Sequence, residues 1–331
     1  MLTGSRLREA CMDSVSDVKH AKGAPESGIS ARLRSAQKTL TGPKHSVGSV
    51  LANRLGLQLA RIATVNGAFR MRSRTVDADI REVVAAYERD GVAVVENFLP
   101  ADVFEQIREE CRKAHEAGQF KSEVVEDNSI VEESLVLKKS KQLPTTYETL
   151  AHHEWLLRVV SAITRLPAPD EIELEISYMT KTPDAPQPKR LVGTNYLHAD
   201  THYPSAKAWL FLEDIDEENG AFVYAKGTQK MTPAKLVYEY SAAVRVAKAE
   251  RDGTMGVTVP PTIVRAPTGW QRKAMKIEEV ACGGKANTLL LGNVGGFHKR
   301  GEFLEGRDRK QIMMKFADRP GARAKRAARK S

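Results

Sequence analysis

Residues 195–202 read Asn-Tyr-Leu-His-Ala-Asp-Thr-His and place two histidines and an aspartate within five positions. Residues i and i+2 of an extended strand project to the same face, so His198 and Asp200 can present an imidazole and a carboxylate to one ion. His202 continues the pattern, but along a strand it would lie roughly 13 Å from His198, too far for one ion to bridge. We therefore expect a metal site on His198 and Asp200, with His202 either beside that site or an ordinary surface residue.

A third ligand must come from elsewhere in the chain. His298 follows the apolar run 288–291 and a glycine-rich segment, about 100 residues after Asp200. Two histidines and one carboxylate on one face of an octahedron leave three positions open, which suits non-haem Fe(II) and oxygen chemistry. The sequence predicts that His198, Asp200 and His298 bind one metal ion.

Arg309 lies eleven residues after His298, at the start of the next apolar run. A guanidinium there can hold the far end of a dicarboxylate through two hydrogen bonds, a task for which lysine is a poor substitute. The ordinary alternative is a surface arginine that pairs with Asp308. Arg307 would take over the carboxylate if the strand register shifted by two residues.

Two further motifs stand between the predicted ligands. Residues 217–222 read Glu-Glu-Asn-Gly-Ala-Phe, and residues 226–230 read Lys-Gly-Thr-Gln-Lys. The order of these motifs between His198-x-Asp200 and His298 resembles the phytanoyl-CoA dioxygenase family over about residues 76–318. The second motif departs from the family's usual Pro-Gly-Ser-His-Lys at positions that shape a turn.

The resemblance implies a double-stranded β-helix, a jelly-roll or cupin-like barrel, that uses Fe(II), 2-oxoglutarate as co-substrate and O2. It also implies roles for four residues: His198, Asp200 and His298 as iron ligands, and Arg309 as the anchor of the 5-carboxylate of 2-oxoglutarate. Trp209 and Tyr178 lie on predicted strands, where an aromatic side chain is either part of the core or a neighbour of the co-substrate.

The periodicity of apolar residues favours the same fold class. Helical spacing predicts helices over residues 76–90, after Pro100, and over 149–165, and a strand over 92–95. Short strands are then predicted at 172–180, 208–212, 221–225, 288–291 and 312–316. Helices followed by several short strands indicate a mainly β fold, an antiparallel double-sheet barrel with flanking helices, rather than a doubly wound parallel sheet.

Composition divides the chain into a domain and two basic ends. We expect a poorly ordered basic extension over 1–75, the oxygenase domain over 76–318 and a basic tail over 319–331. The extension is either a flexible leader or part of an over-long reading frame that truly starts at Met71. Within the domain, residues 233–284 form an insertion with a helix at 233–251, which we consider a candidate lid.

The net charge of +9 comes from the ends of the chain. Residues 1–74 carry 13 Lys/Arg against 4 Asp/Glu, and residues 317–331 carry 6 against 1, which leaves the body at −5. A groove that follows phosphates needs positive charge on the folded body, so the composition argues against a nucleic-acid partner. Three cysteines without C-x-x-C spacing, no long apolar run and no secretory signal indicate a cytoplasmic enzyme with no membrane segment.

The sequence therefore predicts an Fe(II)- and 2-oxoglutarate-dependent dioxygenase that hydroxylates a C–H bond of a small molecule, with release of succinate and CO2. One alternative, motivated by the basic ends, is an oxygenase of the same superfamily that modifies nucleic acid or protein. Another is a non-catalytic, cupin-like barrel used for binding.

Overall fold

Helices and two β-sheets make up the part of the chain that the structure describes. The computed structural model describes residues 49–125, 130–137, 142–169, 172–182, 196–254, 264–265 and 267–316. The helices are α1 (Val50–Arg54), α2 (Leu57–Met71), α3 (Arg81–Asp90), α4 (Ala101–Glu116), α5 (Pro144–Ala151), α6 (Glu154–Thr164), α7 (Pro233–Arg251) and α8 (Gly269–Ala274). The strands are β1 (Val92–Val95), β2 (Lys121–Val125), β3 (Ile130–Leu137), β4 (Ile172–Lys181), β5 (His198–Ala199), β6 (Ala206–Phe211), β7 (Phe222–Ala225), β8 (Val264–Arg265), β9 (Glu279–Cys282), β10 (Leu289–Asn293), β11 (His298–Arg300) and β12 (Asp308–Phe316).

All strand pairs in both sheets are antiparallel. The main sheet has seven strands in the order β1-β10-β6-β12-β4-β3-β2, and the minor sheet has five in the order β8-β5-β11-β7-β9. The rings of Trp209 on β6 and Phe222 on β7 are 4.5 Å apart, so the two sheets contact each other through their inner faces. The predicted mainly β fold with flanking helices is confirmed.

The two faces of the main sheet differ in chemistry. The largest hydrophobic core packs its outer face, through residues such as Leu174, Ile176 and Ile312, against the helices. The inner face carries polar residues at the alternate positions, among them Ser177 and Arg309. Because side chains alternate along a strand, β4 and β12 divide their residues between this apolar core and the inner face.

Helix α7 was predicted over 233–251 and the structure has the same bounds. Its buried face packs against Leu197, Ala199 and Phe297. These residues alternate with or adjoin His198 and His298, so the helix covers the back of the minor sheet. The helical part of the 233–284 insertion therefore supports the minor sheet from behind, and the lid stays a prediction. Residues 255–263 lie outside the described residues.

Residues 50–71 form α1 and α2, within the stretch predicted to be a poorly ordered extension. Helix α2 buries Gln58, Arg61 and Ile62. Gln58 lies 3.4 Å from the carboxylate of Glu239 on α7 and accepts a hydrogen bond from Arg61 at 2.8 Å. Because its buried face mixes polar and apolar residues, α2 has no apolar stripe that the sequence could reveal.

Several smaller expectations can also be compared with the structure. The helix predicted over 149–165 is two helices, α5 and α6. The β2–β3 hairpin was not predicted. Residues 1–48 and 319–331, including most of the two basic ends, lie outside the described residues. None of the described helices is both long enough and apolar enough to span a bilayer.

Candidate active site

The structure brings three predicted ligands together on the minor sheet. His198 on β5 and His298 on β11 are direct partners in the antiparallel pairing. Asp200 follows β5, and its Oδ1 lies 3.4 Å from Nε2 of His198 and 3.7 Å from Nε2 of His298. One ligand atom from each residue lies within 4.8 Å of the others, a spacing that a single divalent ion can bridge.

Both imidazoles are fixed in the same way. Nδ1 of His198 lies 2.7 Å from the carbonyl oxygen of Tyr196, and Nδ1 of His298 lies 3.1 Å from that of Gly296. A carbonyl oxygen only accepts, so Nδ1 carries the proton in each ring and Nε2 presents a lone pair. A hydrogen bond of this kind from the remote nitrogen is the usual support of a metal-bound histidine.

Asp200 is held at its backbone and at its second carboxylate oxygen. Its N–H donates to the carbonyl of Val294, directly after β10, at 2.8 Å. Nζ of Lys207, near the start of β6, lies 2.8 Å from Oδ2 and leaves Oδ1 turned toward the histidines. Lys207 was not predicted from the sequence, because it approaches Asp200 only through the turn that joins β5 to β6.

The charges of the group match those of a metal site. Burial, together with the neighbouring His198, lowers the pKa of His298 to about 3, so this imidazole is neutral. Burial acts to raise the pKa of Asp200, but the neighbouring Lys207 ammonium helps to outweigh it, and that pKa lies well below its usual value. Neutral imidazoles and an ionised carboxylate are the protonation states in which these groups bind metals.

The glycine-rich segment before His298 fits closely against the barrel. A Cβ on Gly296 would lie 1.8 Å from the hydroxyl of Tyr224, so no other residue fits there without rearrangement. The N–H of Phe297 donates to the Thr228 hydroxyl at 2.8 Å, and Nζ of Lys235 donates to the carbonyl of Gly295 at 2.7 Å. The Lys-Gly-Thr-Gln-Lys motif and α7 therefore position the strand that carries His298.

Arg309 lies on β12 and points into the interior, where it is 6% exposed. Nη1 donates to the carbonyl of Gly220, and the guanidinium carbon is 5.4 Å from the centre of the Phe303 ring. A Cβ on Gly220 would lie 2.0 Å from that ring, and φ at Gly220 is +79°. The Glu-Glu-Asn-Gly motif thus ends in a glycine that the packing around Arg309 requires.

The remaining predicted residues divide between the two faces of the main sheet. Trp209 faces the interior and contacts Phe222, whose ring lies 5.3 Å from that of His298. Tyr178 corrects an expectation, because it points to the opposite face, where its ring lies 4.9 Å from that of His115. Its neighbour Met179 takes the inward position, so the structure does not bring Tyr178 to the candidate site.

Two alternatives from the sequence are also located. His202 is fully buried, with its ring edge-on to Tyr203 at 5.3 Å, so it is not a surface residue. Arg307 is on the surface and pairs with Asp216 at 2.6 Å. Of the two arginines, Arg309 is therefore the one that faces the interior.

A jelly-roll pair of antiparallel sheets around two histidines and one carboxylate is the arrangement of non-haem Fe(II) oxygenases. The sequence matches the phytanoyl-CoA dioxygenase (PhyH) family over residues 87–260, just over half of the chain. The chain belongs to this family, and it is an oxidoreductase of the Fe(II)- and 2-oxoglutarate-dependent oxygenase class. The matched region contains His198 and Asp200, while His298 and Arg309 follow it.

Solved structures with a similar fold have low sequence identity to this chain. The epimerase SnoN, crystallised with Fe3+, alpha-ketoglutarate and nogalamycin RO, is 16% identical, with 72% of this chain and 82% of SnoN covered and a TM-score of 0.50. The carbocyclase SnoK from nogalamycin biosynthesis is 15% identical over 78% and 93% of the two chains, with a TM-score of 0.47. EctD from S. alaskensis, with 2-oxoglutarate and 5-hydroxyectoine, is 14% identical over 73% and 79%, with a TM-score of 0.46. No curated protein matches this chain. The likeness to SnoN shows the jelly-roll fold.

Proposed function

We propose that this oxygenase hydroxylates a C–H bond of a small molecule, with His198, Asp200 and His298 as iron ligands and Arg309 as the anchor of 2-oxoglutarate. The observation that carries the proposal is the convergence of the three ligand atoms within 4.8 Å of one another. When bound there, iron with 2-oxoglutarate and O2 supplies the oxidant: one oxygen atom enters the C–H bond, the other enters succinate, and CO2 is released.

The donor set fits Fe(II). Two neutral imidazoles and one carboxylate form the facial triad of non-haem iron enzymes, and they leave positions for co-substrate and oxygen. Zinc in a closed structural site would need a fourth protein ligand, and the described residues offer three in this group. The carbonyls of Tyr196 and Gly296 hold each Nε2 in place before any ion binds.

The residues around the triad have distinct roles in this proposal. Lys207 holds the outer oxygen of Asp200 and so fixes which oxygen faces the ion. Arg309, buried on the inner face, binds the 5-carboxylate of 2-oxoglutarate in a region from which water is largely excluded, where a charge-assisted pair is strong. Phe222 packs against the His298 ring and restricts the space beside it.

The accessibility of the triad supports a small substrate. The side chains of His198 and His298 are 4% and 7% exposed, whereas those of Asp200 and Lys207 are 24% and 30% exposed. A substrate would reach the ion from the Asp200 and Lys207 side.

Cys111 and Cys282 are unpaired thiols, in keeping with a reducing compartment, and we propose a cytoplasmic location.

Tryptophan fluorescence offers a direct test of co-substrate binding, since Trp209 contacts Phe222 next to His298. Under anaerobic conditions, 2-oxoglutarate added to the Fe(II)-loaded protein should quench the emission in a saturable way. Replacing Trp209 with Phe should remove most of the change, whereas Trp270→Phe, at an exposed position, should not. Absence of Fe(II) binding or of any saturable effect would contradict the proposal.

The substrate can be sought with the same protein. Aerobic incubation with metabolite extract, Fe(II) and 2-oxoglutarate should yield succinate and a product heavier by one oxygen atom. The Asp200→Ala variant should yield neither. Succinate release coupled only to products of unchanged mass, as in an epimerisation, would retain the oxygenase class and rule out hydroxylation.

A further inference from the structure

A second arginine lies beside Arg309 in the interior. Arg300 on β11 belongs to the minor sheet and Arg309 on β12 to the main sheet, yet both reach Sδ of Met179, at 3.7 Å and 2.8 Å respectively. Their guanidinium carbons also lie 5.8 Å and 5.4 Å from the centre of the same Phe303 ring. Both residues are buried. Two guanidinium groups from opposite sheets therefore share one compartment.

This compartment lies next to the candidate metal centre. Arg300 follows His298 by two residues on β11, so the two side chains leave the same face of the strand, roughly 7 Å apart along it. A bidentate ligand bound at the His298 end with its long axis along the strand would extend its far end toward both arginines. Arg300 could not be identified from the sequence, because its proximity to Arg309 depends on how the two sheets pack.

A partly buried carboxylate faces the same compartment. Glu132 on β3 pairs in register with Met179, which in turn pairs with Arg309, so the three side chains form one row on the inner face. The Ser177 hydroxyl donates to Glu132 at 2.8 Å. Burial raises the pKa of Glu132, while the charges of Arg309 and Arg300 act in the opposite direction. By Coulomb's law, an ionised Glu132 repels a second carboxylate that enters this region and the arginines attract it.

We propose that Arg300 is a second co-substrate-binding residue, which holds the 5-carboxylate of 2-oxoglutarate together with Arg309, and that Glu132 opposes this binding. The inference rests on the proposed function. Arg300 and Glu132 thereby set the affinity of the compartment for a dicarboxylate, and they act with opposite signs. A merely structural role would make both substitutions weaken binding, or would leave binding unchanged.

Binding without turnover tests this assignment. Calorimetric titration of the full-length, Mn(II)-loaded protein under anaerobic conditions measures the Kd of 2-oxoglutarate, and 2-oxopentanoate serves as the same acid with a methyl group in place of the far carboxylate. Arg300→Gln should weaken 2-oxoglutarate binding by roughly tenfold or more, because a charge-assisted hydrogen bond is lost. It should leave 2-oxopentanoate binding unchanged. Glu132→Gln should tighten 2-oxoglutarate binding several-fold, by the sign of the Coulomb term.

Controls separate this inference from the proposed function. Arg307→Gln, at an exposed ion pair on the same chain segment, should change neither Kd. Arg300→Lys, which keeps the charge, should restore part of the affinity for 2-oxoglutarate. If Arg300→Gln has a much lower melting temperature than the wild type, the test is made with Arg300→Lys and Glu132→Gln. Equal Kd values of the wild type and Arg300→Gln for 2-oxoglutarate would overturn this inference and leave the proposed function intact. Weaker binding by Glu132→Gln would have the same consequence. Wild-type protein that fails to bind 2-oxoglutarate would overturn both proposals.

Discussion

His198 and His298 lie directly opposite each other in the antiparallel pair β5–β11, and their ring centroids are 4.4 Å apart. Partners in such a pair project to the same face, so backbone pairing alone brings the two imidazoles together. Each Nδ1 is bound to a carbonyl two residues upstream. The carboxylate of Asp200 can therefore be removed while the histidines stay in place.

Asp200→Ala should abolish turnover without unfolding the protein. Loss of a proposed metal ligand should lower the affinity for Fe(II) or Mn(II) by more than about 100-fold, since even the supporting partners of ligands are worth about 10 to 100-fold. Lys207 would lose its partner, but it is partly exposed and water can replace the pair. Metal titration and a thermal melt measure the two effects. Asp214→Ala, which removes an exposed carboxylate paired with Lys285, is the control and should retain metal binding.

Lys207→Gln should weaken metal binding by about 10 to 100-fold, because it releases the outer oxygen of Asp200 and lets the carboxylate rotate. Lys315→Gln provides the matched control. Lys315 lies opposite Lys207 in the β6–β12 pairing, but its ion pairs are with Glu173 and Glu175. Equal metal affinities for the two variants would show that Lys207 has no part in orienting Asp200.

Thr228→Val should destabilise the segment that carries His298. The hydroxyl accepts from the N–H of Phe297 at 2.8 Å and donates to the carbonyl of Ala225 at 2.6 Å. Both groups are buried, and leaving a buried donor without a partner costs about 1–3 kcal/mol. Denaturant unfolding should record this loss, together with weaker metal binding. Thr228→Ser keeps the hydroxyl and should recover most of both; a Ser variant as unstable as the Val variant would point to the methyl group instead.

Local rules and the order of family motifs together predicted the triad from the sequence. His198 and Asp200 share a face through strand alternation, and His298 was supplied by the order of family motifs. Lys207, Arg300 and Glu132 could not be found in this way. Their positions depend on turns, strand register and the packing of two sheets, none of which a single sequence specifies.

The side-chain alternation of β4 explains why Tyr178 lies away from the candidate site. Its apolar residues, such as Leu174 and Ile176, face the helices, and Tyr178 belongs to that set. The interior between the sheets instead receives the alternate set, with Ser177 and Met179. The apolar face of β4 therefore points away from the candidate site, and alternation by itself does not show which face of a strand points to the site.

The helices α1 and α2 should be required for stability, although the sequence suggested Met71 as a start. Two truncated chains that begin at Ser49 and at Arg72 differ only by these helices. Loss of Ile62 and Val65 from the core should cost at least about 3 kcal/mol, and Glu239 would lose its contact with Gln58 while buried. Thermal melts should show the shorter chain to be less stable, and Glu239→Gln should recover part of the loss in that chain. Equal melting temperatures would contradict the prediction.

Arg309→Gln should raise the 2-oxoglutarate requirement and leave metal binding unchanged. The guanidinium is buried on the inner face, whereas the three proposed metal ligands belong to β5, β11 and the turn after β5. Loss of a bidentate pair with a carboxylate should raise the KM for 2-oxoglutarate by roughly tenfold to 100-fold, which corresponds to about 1.4–2.8 kcal/mol. Arg307→Gln, two residues earlier and paired with Asp216 on the surface, should change neither KM nor metal affinity. Steady-state kinetics over a range of 2-oxoglutarate concentrations measures the effect. A larger rise in KM from Arg307→Gln than from Arg309→Gln would contradict the prediction, because it would assign the 5-carboxylate of 2-oxoglutarate to Arg307 on the surface.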